Sequence, residues 1–210
     1  MRFEHSGFSG GPASPGRGAL GRAAYINVSC LELILGFIAV CWMGAGCGLQ
    51  PACSTCGVAK WTKFSPANKR YSVLMPCRPE ASTGNMDTPV GPVPASVLFA
   101  KASKGYGFAV VQCTLPPEIN VSDPKQYFDK MLKGLSGGAG GVRLVSSMEV
   151  ALHGIPGREL VFEKSGQWLV TSRVYLVGRD CYQAYAVMPK GRECMQHARE
   201  FVESFDLKPQ

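Results

Sequence analysis

From Arg70 onward the chain is written in a period of two, and Gly or Pro punctuation cuts the alternation into short runs. Successive strand side chains point to opposite faces, so this pattern fits half-buried β-strands. The absence of a Gly-x-y period, sustained heptads or repeated apolar 20-mers excludes collagen, a coiled coil and a polytopic membrane protein. Arg70–Met75 alternates and is stopped by Pro76. Residues 79–94, rich in Pro, Gly and Thr, read as a long loop, and Ser96–Ala102 as a second strand. Tyr106–Leu115 is a third, ended by Pro116-Pro117. After the first helix come Val142–Leu152, Arg158–Lys164, Gln167–Val177 and Cys181–Met188. They are separated by turns at Gly154-Ile-Pro-Gly157, Ser165-Gly166 and Gly178-Arg-Asp180. In the run Gln167–Val177, Trp168, Val170, Val174 and Leu176 share one face, while Arg173 and Tyr175 take the other.

Two stretches carry helical spacing instead. The first starts at Asp123, a good N-cap, with Pro124 at the first helical position and Gln126 placed to reach back. Tyr127, Phe128, Met131, Leu132 and Leu135 lie on one side of it, and Gly137–Gly141 closes it. The second runs from Gly191 to Phe205, with Cys194, Ala198, Phe201 and Phe205 as its apolar stripe. Arg192, Glu193, Arg199, Glu200 and Glu203 fall on its solvated face. The order is β-β-β-α-β-β-β-β-α, and its tight hairpins require antiparallel pairing. The fold class is α+β: a single antiparallel meandering sheet covered by two helices.

The 210-residue chain begins differently. Residues 1–22 are Gly-, Ser-, Pro- and Arg-rich and cannot bury a core. Residues 23–47 form a signal peptide or membrane anchor. Its clearest apolar stretch, Leu33–Leu49, is close to the ~17 residues needed to span a bilayer. Arg2, Arg17 and Arg22 precede it, which favours an N-terminus retained on the cytoplasmic side. Gly44-Ala45-Gly46-Cys47 resembles a bacterial lipobox, in which Cys47 carries the lipid. The usual Leu is replaced by Gly44. A lipoprotein, an uncleaved anchor and a cleaved secreted form all stay open. Residues 48–63 are a tether, and residues 64–208 the folded domain.

The chemistry-bearing motifs are few. Cys53-Ser-Thr-Cys56 is a C-x-x-C. No βαβ unit precedes it and no second ligand pair follows at metal spacing, so thiol-based redox or metal binding is the alternative reading only. Gly7-Phe-Ser-Gly-Gly11 has the letters of a nucleophile elbow without the strand and helix that such an elbow needs. The Gly137–Gly141 run follows a helix rather than preceding one and lacks the ending of a phosphate loop. His197 with Glu193 and Glu200 could form a weak cluster on one helix, more simply read as a solvated face. No catalytic set, cofactor or metal site is expected. The net charge of +7 is spread without a dense basic stripe, which argues against nucleic acid and suits an anionic surface or acidic partner. Cys77, Cys113, Cys181 and Cys194 allow three pairings or buried thiols. Asn120-Val-Ser122 and Asn27-Val-Ser29 match glycosylation acceptors.

Several of these pieces resemble the PsbP/Mog1-like fold group, and in particular small exported bacterial proteins of that shape. They are Arg70-Tyr-Ser-Val-Leu-Met-Pro76 at the opening, Gly154-Ile-Pro-Gly-Arg-Glu159 at the centre, Arg173-Val-Tyr-Leu-Val-Gly178 before Tyr182, and the closing Phe201-Val-Glu-Ser-Phe-Asp-Leu207. They are strand starts and turn glycines, so the resemblance implies a fold, an α/β/α sandwich, more than an activity. Members of that group include extrinsic subunits of a photosynthetic complex and a nuclear GTPase-binding protein. The resemblance therefore implies a non-catalytic binding or accessory module; the apolar leader adds an extracytoplasmic position, attached to the membrane through the N-terminal anchor, and the protein partner is unknown.

Overall fold

Tight turns with positive φ organise most of the sheet. His153 (φ 51°) and Gly154 (φ 80°) join Leu152 to its register partner Ile155, and Ser165 (φ 49°) and Gly166 (φ 64°) join Lys164 to Trp168 through Gln167. Positive φ at both central residues gives the turn a twist that matches the flanking strands. The computed structural model describes residues 60–67, 70–88, 91–102, 105–136, 141–191 and 195–208. The elements are β1 (Thr62–Phe64), β2 (Tyr71–Met75), β3 (Glu80–Thr88), β4 (Gly91–Lys101), β5 (Gly107–Thr114), α1 (Pro124–Ser136), β6 (Val142–Leu152), β7 (Ile155–Lys164), β8 (Trp168–Val177), β9 (Asp180–Pro189), α2 (Met195–Glu203) and β10 (Asp206–Leu207).

Seven strands pair antiparallel in the order β3-β4-β5-β9-β8-β7-β6, and a separate three-stranded sheet has the order β1-β2-β10. The expectation of one sheet is therefore corrected to two. The α+β class and the two helices stand. The second sheet is built from Tyr71–Met75 of the opening strand and two segments too short to show a period: Thr62–Phe64 and Asp206–Leu207.

Each face of the large sheet has its own core. On one, Phe128 of α1, flanked by Tyr127, Met131 and Leu132, covers Val97, Val111, Val174 and Phe162. On the other, α2 and the small sheet bring Phe201, Val202, Tyr71, Val73 and Met75 onto Phe108, Val110, Ala184 and Tyr175. The Asp123 N-cap forms as expected, its carboxylate accepting from the Gln126 backbone N–H at 3.1 Å.

Three local expectations change. Residues 79–94 are not a loop: Glu80–Thr88 pairs with Gly91–Phe99 over its whole length. Its polar composition and the two prolines hide the strand. Pro92 and Pro94 lie before Ala95, where pairing with β5 begins, so β4 has one neighbour there and the missing N–H groups are tolerated. The folded unit also reaches into the stretch assigned to the tether. The Trp61 ring packs edge-on to Phe108 at 5.3 Å and stacks on Phe201 at 6.4 Å.

Gly157 is the third correction. It is a β7 residue opposite Tyr175 rather than part of a turn. A Cβ there would meet the Tyr175 ring at 2.5 Å and the Val174 carbonyl oxygen at 2.7 Å. Gly157→Ala is accordingly expected to cost about 2–3 kcal/mol, the upper part of the overpacking range, because backbone cannot yield as a side-chain tip can. Urea denaturation of both proteins checks it; a midpoint within error of the parent would show that the ring moves freely.

Candidate functional site

Register places one polar row on the face shared with α2. Thr83, Ser96, Gln112, Tyr182, Tyr175 and Gly157 are successive cross-strand partners from β3 to β7. Partners in register project to the same side. Over Tyr175 this face is covered by Phe205, stacked on the ring at 5.7 Å and 10°. Near the ends of β7, β8 and β9 the cover stops, and a pocket of about 580 Å³ opens. Its apolar walls are Ile155, Val177 and Leu207. Arg70, His153, Asp180, Tyr182, Asp206 and Lys208 supply the polar lining. A shallower hollow of about 480 Å³ lies along the same polar row, over Thr83, Ser96, Gln112 and Thr114.

The polar groups of the deeper pocket are held in different ways. His153 Nε2 lies 2.7 Å from Asp206 Oδ1, joining the β6–β7 turn to β10. The left-handed φ of His153, 51°, is one that a non-glycine residue adopts at a cost of about 1 kcal/mol. Asp180 Oδ1 accepts from the Thr114 hydroxyl at 2.6 Å. Tyr182 Oη accepts from Gln112 Nε2 at 3.3 Å. Burial pushes the Tyr182 phenol up, the Asp180 carboxylate adds to this, and Arg70 partly offsets it. Tyr182 therefore keeps its proton through neutral pH and presents it as a hydrogen-bond donor. Gln112 Oε1 is buried without a hydrogen-bond partner among the described residues.

Arg70 and Lys208 form the rim. The Lys208 N–H donates to the Arg70 carbonyl at 2.8 Å, one step beyond the β2–β10 pair Tyr71–Leu207, so the two cations stand opposite each other. Neither has an ion pair among the described residues.

Other charged residues serve the architecture. Arg173 Nε lies 2.7 Å from Glu159 Oε2 and its Nη2 3.1 Å from Glu203 Oε1, tying β7 and β8 to α2. Glu203 is thus a partner of Arg173 while keeping the solvated position expected from the sequence, at 54% exposed. Arg158 does the same for α1 through Asp129 at 3.2 Å, with Glu149 beside it at 3.5 Å. Arg179 donates to the carbonyls of Leu115, Pro116 and Ile119, bracing the loop that leads into α1.

The residues singled out by sequence mostly lie elsewhere. Cys47, Cys53, Cys56 and Cys194, with the apolar segment and residues 1–22, fall outside the described residues. Cys77 is disulfide-bonded. Cys113 and Cys181 face each other across β5 and β9, both buried. His197 Nδ1 lies 3.3 Å from Glu200 Oε2 and its ring packs against Trp61 at 5.8 Å; Glu193 is outside the described residues. No group of three metal-ligating side chains occurs among the described residues. Asn120 is exposed, its carboxamide oxygen accepting from the Ser122 N–H and hydroxyl. The pocket itself was not visible in the sequence. Arg70 and Asp206 stand in stretches that carry the family resemblance and Tyr182 follows one, but β10, which holds Asp206 and leads into Lys208, is too short to be read as a strand.

No family model matches the chain, and no curated protein is significantly similar to it. Among solved structures, the fold is similar to the solution structure of cyanobacterial PsbP (CyanoP) from Synechocystis sp. PCC 6803. That match has a TM-score of 0.50 at 12% identity and covers 79% of this chain and 98% of that one. The fold is therefore PsbP-like. Two Pseudomonas aeruginosa structures are more remote. A protein of unknown function has a TM-score of 0.39 at 11% identity, covering 72% of this chain and 99% of that one. The immunity protein TplEi has 0.34 at 13%, covering 57% and 46%.

Proposed function

We propose that the protein is a non-catalytic, extracytoplasmic binding or accessory module, held at the membrane by its N-terminal apolar segment and engaging its partner through the pocket beside Tyr182. The pocket is the observation that carries this reading. Concave sites of a few hundred Å³ with apolar walls and a few polar groups are where ligands and partner side chains are taken up. The polar lining supplies hydrogen-bonding groups for recognition. The His153 imidazole is engaged by Asp206, and Tyr182 is held neutral. The disulfide at Cys77 suits an oxidising compartment, in keeping with export by the leader.

A photo-crosslinking residue at position 155, inside the pocket, tests the reading in the native host. A discrete adduct is expected there, and none from the same residue at position 148, which is exposed on the β6 edge. Equal adducts from both positions, or none from either, would overturn it. The mass of the mature chain from membrane fractions reports on the tether: lipid at Cys47 supports it, and an unmodified cytosolic chain starting at Met1 sinks it.

A further inference from the structure

Taking the pocket as the binding site, we infer that its ligand is an amphipathic anion: a carboxylate on a compact apolar body, with the carboxylate between Arg70 and Lys208 and the apolar body against Ile155, Val177 and Leu207.

Two independent features lead there. The first is electrostatic. Like charges placed directly opposite on paired strands destabilise the pair. Arg70 and Lys208 are so placed, at the end of the β2–β10 ladder, and neither has an anionic partner among the described residues. Of the two nearby carboxylates, Asp206 makes its contact to His153 and Asp180 to Thr114, and neither forms an ion pair with Arg70 or Lys208. An anion lodged between the two cations would replace their repulsion with two charge-assisted hydrogen bonds. Arg offers a planar fork suited to a carboxylate, while Lys adds a point charge.

The second feature is the composition of the walls. Ile155, Val177 and Leu207 present only hydrocarbon, and each also packs on the core beneath. A fully hydrated inorganic anion would leave that surface wet and gain nothing from it. An alkyl or aryl body removes it from water, at about 25 cal/mol per Å² of apolar area. Tyr182, protonated and already accepting from Gln112, has its hydroxyl proton to offer the same head group. The volume of about 580 Å³ accommodates a molecule much smaller than a folded peptide domain.

The test uses the full-length chain, isotope-labelled, with octanoate as probe and octanol as its neutral counterpart. Octanoate is expected to move the amide resonances of Val177, Asp180 and Leu207 saturably, with an affinity about tenfold above that of octanol. Arg70→Gln and Lys208→Gln change exposed side chains that the fold does not use. Each is expected to weaken octanoate several-fold while leaving octanol unchanged. Ile155→Trp, which fills the pocket, should abolish both. Equal affinity for octanoate and octanol, or octanoate binding indifferent to both cation variants, would overturn the assignment of an anion. Shifts confined to residues remote from the pocket would do the same. If the crosslinker at position 155 still finds a partner under those outcomes, the binding-module reading survives and only the ligand class falls.

Discussion

Phe205→Ala is expected to remove about 3–5 kcal/mol of stability, the range for truncating a buried Phe. Phe205 is 1% exposed and closes α2 onto the large sheet. Its ring stacks on Tyr175, lies 5.5 Å from Tyr71 and 6.1 Å from Tyr182, and so holds the small sheet, the helix and the large sheet together. Aromatic pairs of this kind add about 0.5–1.5 kcal/mol beyond area alone. Since domains are stable by only ~5–15 kcal/mol, the variant should melt roughly 10 °C lower. Tyr182 would lose its neighbour as well, so the pocket should loosen and octanoate binding with it. Phe205→Leu keeps most of the volume and should fall between. Thermal melts followed by near-UV circular dichroism decide; a loss under ~1 kcal/mol would mean the three-way contact is not what closes this core.

Arg173→Met is expected to cost about 3 kcal/mol, near the bottom of the range for breaking a buried pair. The value is set low because Arg173 retains some solvent contact, its side chain being 17% exposed. Its removal strands the Glu159 carboxylate, 11% exposed, facing the core side of β7. That orphaned charge, more than the lost attraction, sets the size of the effect. Hence the double variant Arg173→Met with Glu159→Gln should recover much of the loss, because a neutral amide is less costly to bury than a carboxylate. Glu203→Ala, at a position 54% exposed, should cost under ~1 kcal/mol. A double-mutant cycle in urea reads all of these. Additivity of the Arg173 and Glu159 changes would show that the two groups do not depend on each other.

The same residues explain why the family resemblance was informative about fold and silent about activity. In Gly154-Ile-Pro-Gly-Arg-Glu159, Gly154 completes the turn after His153, Gly157 lies beneath the Tyr175 ring, Arg158 reaches α1 and Glu159 reaches Arg173. Arg173 and Tyr175 come from the second resembling stretch, and Phe205, which stacks on Tyr175, from the last. These stretches are sequence-distant parts of one packing arrangement. They specify how helices dock on a sheet; Arg70, Ile155, Val177, Asp206 and Leu207 of the pocket belong to the same stretches, but a signature of packing does not say what such a pocket takes up.

The sequence by itself determined the local structure wherever a turn or a cap is set by the residues next to it. Val142–Leu152 and Gln167–Val177 could be bounded within a residue or so because the glycines of the hairpin turns fix where each strand stops and restarts, even though β8 is buried on both faces and most of β6 is exposed. The Asp123 cap was legible for the same local reason. Tertiary structure alone decided the rest. Glu80–Thr88 is a strand because β4 supplies a pairing edge that its own polar residues do not announce. Thr62–Phe64 and Asp206–Leu207 are too short to have a period, and become strands only because β2 lies between them. The pocket is decided at that same place: Arg70, His153, Tyr182 and Lys208 are far apart in sequence and meet only when β10 pairs with β2 over the end of the large sheet. Charge and hydrogen-bond partners act through space, so a linear pattern carries no trace of which ends will be brought together.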